Sequence, residues 1–191
     1  MINLIDKKDE ALYCIEKSLN NFSILDICNR AIYDHLDDKH PLLGMSILEI
    51  LQYLYDNHAV ESVEPQLSIN IDKSHPLNYK PELQKLSESF IVLWNFWHNA
   101  TNRNASQTFS VNVWSTNDFL FVTFTNKFIS SLHDQAIKAI HYLRSEYGEP
   151  PKIGGGLHMS KKIMIDKLGW SIMPIETKVE KNTFEVTIKL R

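Results

Sequence analysis

The sequence predicts an α+β protein, with an N-terminal helical hairpin over residues 1–60 and a two-layer sandwich over residues 61–191. In the sandwich a mixed sheet packs helices on one face. Three observations carry this expectation. Apolar residues recur at three- and four-residue spacing through the first sixty positions, the period of helices. Alternation with the period of a strand sets in after His58. From there the order is strand, helix, two strands, helix, helix, two strands.

Ala11, Leu12, Ile15 and Leu19 share one helical face, which the Asn20-Asn21 pair interrupts. Ser23 is placed to cap a second helix carrying Ile24, Ile27, Cys28, Ala31 and Ile32. Pro41 closes that segment, because proline disfavours helical geometry in the residue before it. A third helix carries Leu42, Met45, Leu48, Leu51, Leu54 and Tyr55 on an apolar surface broad enough for more than one partner. Leu67, Ile69 and Ile71 alternate with Gln66, Ser68 and Asn70, as in a half-buried strand. After a turn-rich stretch, residues 82–105 read as one long helix dense in Leu83, Leu86, Phe90, Leu93, Trp94 and Trp97. Strands over 111–115 and 119–125 meet across Thr116-Asn117-Asp118. An amphipathic helix spans 132–147 and closes at Gly148. Gly154-Gly155-Gly156 opens another that runs to about Leu168. Strands over 170–174 and 184–190 finish the chain around a polar turn at Lys181-Asn182.

Composition excludes several classes. Twenty Lys and Arg against 23 Asp and Glu give a net charge of -3, with no basic footprint for nucleic acid. The opening Met-Ile-Asn-Leu-Ile-Asp-Lys-Lys is too short and too soon charged for a signal peptide. No apolar stretch reaches the roughly 18 residues needed to span a bilayer. A cytoplasmic protein is expected, in which Cys14 and Cys28 are reduced core thiols. The sequence holds no P-loop, no Gly-x-Ser-x-Gly and no His/Cys cluster with metal-ligand spacing. The broad apolar surface of residues 42–55 predicts a homodimer through the N-terminal helices.

Asn95-Phe96-Trp97-His98-Asn99-Ala100 sets two asparagines four residues apart, so on a helix their carboxamides share one face. Neutral oxygens so placed suit a magnesium ion that keeps part of its water shell and bridges nucleotide phosphates. Amphipathic helices also carry such polar pairs with no ligand at all. In its setting, at the end of a long apolar helix, the run resembles the N-box of the superfamily that joins histidine kinases, gyrases, heat-shock ATPases and mismatch-repair proteins. Gly154-Gly155-Gly156-Leu157, followed by Met159, Ile163, Lys167, Leu168 and Gly169, resembles that family's second glycine box. There the free backbone N–H groups of a helix N-terminus hold phosphates. Thr183-Phe184-Glu185-Val186-Thr187-Ile188 resembles the last strand of kinase domains.

The resemblance covers about residues 61–191 and implies a sandwich of histidine kinase ATPase type, also called the Bergerat fold. It implies ATP or ADP with Mg2+ as ligand, with Asn95 and Asn99 toward the metal. It also implies that Gly154, Gly155, Gly156 and Leu157 lie against the phosphates. The first glycine box is degenerate. Where the family has Asp-x-Gly-x-Gly, this chain has Phe124-Thr125-Asn126-Lys127-Phe128-Ile129-Ser130-Ser131, which leaves Asn126 as the polar candidate for the base contact. A helix replaces the glycine-rich lid between the boxes.

A histidine kinase module also needs an exposed phosphoacceptor histidine in mid-helix. His35, followed by Leu36-Asp37-Asp38, is the candidate, placed at a helix end where a histidine also serves as a cation on the helix dipole. His40 stands before Pro41 in the same region, and His98 points off the asparagine face. His158 reads either as a phosphate contact or as surface, and Lys161-Lys162 either as a phosphate attractor or as a solvated face. Arg103 follows the N-box one position out of register with the family's basic residue. The function expected is that of a signalling protein with a degenerate nucleotide site, working as a histidine kinase or histidine phosphotransferase in a phosphorelay. Its partner would be a response regulator or another signalling protein. The alternative is a non-catalytic interaction module, an anti-factor or scaffold, that uses the fold without nucleotide.

Overall fold

The computed structural model describes residues 44–57, 64–71, 75–102, 108–145, 155–174, 176 and 178–190. The two helices expected before residue 43, together with His35, His40, Arg103 and Gly154, lie outside the described residues.

Helix α1 is Ile47–Asn57, and it starts later than Leu42 for a local reason. Gly44 has φ of +74°, outside helical geometry. Ser46 and Glu49 then form a capping box: the Glu49 N–H donates to Ser46 Oγ at 3.4 Å and the Ser46 N–H to Glu49 Oε2 at 2.7 Å. The loop before the second helix completes the cap, since the N–H groups of Ile47 and Leu48 donate to Tyr79 O and Asn78 Oδ1. Strand β1 is Glu64–Ile69. Helix α2, Leu83–Asn102, buries Leu86, Phe90, Leu93, Trp97 and Ala100 as one stripe at four- and three-residue steps.

Strands β2, Thr108–Ser115, and β3, Leu120–Lys127, pair antiparallel across a four-residue turn closed by the Thr116 N–H on Phe119 O. Helix α3 is His133–Arg144, entered through a 3-10 turn at Ser130–Leu132. Helix α4 is Gly155–Ile163 and continues as a π-helical turn over Met164–Leu168. Gly169, with φ of +67°, ends it in the left-handed geometry that suits glycine. Strands β4, Ser171–Ile172, β5, Lys178–Glu180, and β6, Thr183–Lys189, complete the chain.

The sheet runs β1-β2-β3-β6, with β4 and β5 sharing the outer edge of β6. Among the described strands only β1 and β2 pair in parallel, so the sheet is mixed as expected. Registers across it align Val111, Phe124 and Val186 in one row and Val113, Val122 and Ile188 in the next. Both rows are buried under the helices. Trp97 meets Phe109 edge-on and Phe96 stacks on Phe124, which joins α2 to this face. Trp94 is half-buried, packed against this core and stacked on His98.

Among the described residues the sheet has six strands, one more than the five read from the sequence. The extra one, β5, is three residues long, too short to show a period. It forms a hairpin with β6 across Lys181 and Asn182, which both have positive φ, the geometry whose twist matches paired strands. This hairpin seats α3. The Phe128 N–H donates to Asn182 O at 2.9 Å, and Asn182 Nδ2 to Ser130 Oγ at 3.0 Å. Helix α3 then packs along β5.

The other end of α3 is held by α4. Lys161 is 7% exposed, so it is neither a solvated face nor a free phosphate attractor. The reason is its spacing, which puts it on the inward face of α4 with Leu157, Ser160 and Met164. Its Nζ donates to Tyr142 O at 2.6 Å and to Ser145 O, and lies 4.4 Å from the centre of the Tyr142 ring. An ammonium there meets the negative end of the α3 dipole. The Tyr142 hydroxyl lies 2.5 Å from His158 Nδ1, so His158 faces the end of α3. Burial lowers the pKa of Lys161 and raises that of Tyr142.

Lys161→Met keeps the stem and removes the donor, leaving the carbonyls of Tyr142 and Ser145 without it. We expect a loss of about 1 to 2 kcal/mol in urea unfolding, with faster amide hydrogen exchange over residues 139–144. Unchanged exchange in α3 would show that this contact does not hold the helix.

Candidate functional site

Asn95 and Asn99 lie on one face of α2, as the four-residue spacing predicts, but their surroundings differ. Asn95 is buried, and its Nδ2 donates to the fully buried Ser160 Oγ at 3.0 Å. Its Oδ1 lies 3.2 Å from the point that a Cβ on Gly156 would occupy. Gly156 therefore has a packing reason: a side chain there would press on the Asn95 carboxamide. Asn99 is half-buried, and its Nδ2 donates to Asn95 O at 2.7 Å.

A pocket that runs out into solvent opens beside this junction. Helix α2 contributes Phe96, Asn99 and Ala100, and the end of β3 contributes Phe124, Asn126 and Phe128. Leu132, Gln135, Ala136 and Ala139 of the α3 segment cover it, and Leu157, Phe184 and Val186 complete the lining. None of these residues is charged. The polar groups that reach the pocket are three carboxamides, those of Asn99, Asn126 and Gln135, set among aromatic and aliphatic walls.

Asn99, Asn126 and Leu157 thus come together in one pocket from α2, β3 and α4. Asn95 and Gly156 meet each other next to it and do not line it. Gly155 opens α4, so the backbone N–H groups of that first turn have no partner within the helix. Sequence reasoning missed Gln135, Ser160 and the ring walls of Phe96 and Phe184. Ser160 stands four residues after Gly156, which is the one signal that could have placed it on the same face. Among the described residues no group of three or more His, Cys, Asp or Glu is arranged to hold a metal ion. Nor is any described helix long and apolar enough to cross a membrane.

No protein-family model matches the sequence, and no curated protein does. Solved structures do match. A bacterial phosphotransferase aligns over 95% of this chain and 79% of its own, at 10% identity and a TM-score of 0.52. The histidine kinase domain of a blue-light activated histidine kinase from Erythrobacter litoralis aligns over 93% of this chain and 84% of its own, at 10% identity and a TM-score of 0.51. At such identities the likeness speaks for the fold alone. With its mixed sheet and its helices on one face, this chain has the histidine kinase-like ATPase fold.

Proposed function

We propose that this chain is a signalling protein that holds ADP or ATP weakly in a histidine kinase-type pocket. It acts on a response regulator or similar partner by holding it, or by relaying phosphate that another kinase supplies. The observation that carries this reading is the meeting of Asn99, Asn126 and Leu157 in one uncharged pocket beside the first turn of α4. These residues come from three elements between positions 99 and 157, and the rings around them suit a flat, neutral base.

The residues fit a nucleotide unevenly. The aromatic walls and the free Asn126 suit the base. The first turn of α4, at Gly155 and Gly156, offers N–H groups to phosphates. For magnesium, Asn99 offers one carboxamide at the pocket wall, and a phosphate-bridging ion needs only one or two protein ligands. The ion, when bound, would offset phosphate charge. Asn95 spends its amide on Ser160 and turns its oxygen toward Gly156, so it would serve the metal through that oxygen alone. The lining holds no carboxylate, and no glycine follows Asn126 to let backbone approach the base.

Titration with a labelled ATP analogue, with and without Mg2+, tests the binding. We expect a dissociation constant in the high micromolar range or weaker, about -5.5 kcal/mol or less favourable. Asn99→Asp keeps the shape but adds charge beside the phosphates, and should weaken binding by about tenfold or more. No binding under any condition would favour the interaction module over the nucleotide reading. Incubation with radiolabelled ATP should leave the isolated chain unlabelled. An acid-labile label lost on changing His35 would instead restore an active kinase.

A further inference from the structure

We propose that Asn126 reads the edge of the bound base through both a donor and an acceptor, so that the pocket takes 6-amino and 6-oxo purines alike. This rests on the nucleotide reading and names its specificity.

Asn126 is 6% exposed and lines the pocket, yet among the described residues no hydrogen bond reaches its carboxamide. Its polar atoms are not sealed off, and the residue lines the pocket. A polar side chain buried to this degree ordinarily has a partner, and here the open side is the ligand's. Its direction is set by the sheet. Asn126 pairs with Phe184 in the β3–β6 register, which puts its side chain on the same face as Phe124. Asn99 differs, because its amide is already committed to Asn95 O.

A carboxamide held by no neighbour can turn by 180° and exchange its donor and acceptor. In one orientation it meets the amino group and ring nitrogen of adenine. In the other it meets the carbonyl and ring N–H of hypoxanthine. An ionised carboxylate at this position accepts only, and it would face a lone pair on either base. No charged group lines the pocket to favour one orientation.

The test compares ATP with inosine triphosphate, each with Mg2+, by calorimetric titration of the full chain. We expect their affinities to agree within about threefold. Asn126→Ala should weaken both nucleotides by about tenfold, with thermal unfolding recorded to confirm that the variant folds. A tenfold preference of the unaltered chain for either nucleotide would overturn the inference and leave nucleotide binding intact. Undiminished binding to folded Asn126→Ala would do the same. If neither nucleotide binds the unaltered chain, the nucleotide reading fails and this inference falls with it.

Discussion

The clasp between α2 and α4 at Asn95, Gly156 and Ser160 decides where the rest of the site can sit. Ser160 Oγ is fully buried, and the Asn95 amide is its partner. Removing either side leaves the other buried and unsatisfied, at a cost of about 1 to 3 kcal/mol. The clasp closes because position 156 has no side chain, which lets the first turn of α4 lie against the Asn95 carboxamide. One helical turn further along α2 stands Asn99, and one residue further along α4 stands Leu157. Both line the pocket. The polar pair that reads as a ligand set is therefore divided: one member registers the two helices, and the other faces the space they frame.

How much of this was legible follows from what each feature owes to local sequence. The sheet's inner rows and the stripe of α2 were readable, because alternation and three-to-four spacing are the direct record of burial on one face. Where α1 begins was not, because Gly44 and the Ser46–Glu49 box override an apolar pattern that starts sooner. Lys161 was misjudged for a related reason. A lysine beside another lysine suggests solvent, and nothing local reveals that the carbonyls ending α3 lie within reach of one and not the other. Asn126 was legible only through the resemblance, since a lone asparagine at a strand end has no signature of its own. Gln135 had none either, because its place over the pocket depends on where α3 lands.

No glycine stands in residues 124–131, and this shapes the wall of the pocket. A glycine-bearing stretch would let the chain leave the sheet near the base. Here β3 stays paired through Lys127, opposite Thr183, and Phe128 still bonds to the turn at Asn182. The pocket wall is thus made of side chains, Phe124, Asn126 and Phe128, in place of exposed backbone. The same hairpin that holds Phe128 holds the start of α3, and Lys161 holds its end.

A cover fixed at both ends changes how affinity is set. A ligand that needs the cover displaced binds only the displaced fraction, so its apparent dissociation constant rises by the reciprocal of that fraction. Each hydrogen bond that seats α3 lowers the fraction, and it does so without touching the ligand. The weak binding proposed above then has two separable causes, the lack of a glycine that would bring backbone to the base and the helix that covers the pocket. They leave different traces. Loosening α3 raises affinity for every ligand by a common factor, whereas removing the Asn126 carboxamide lowers it only for ligands that carry a base. Under the nucleotide reading, entry to the pocket is therefore governed by the contacts between α3, α4 and the β5–β6 hairpin.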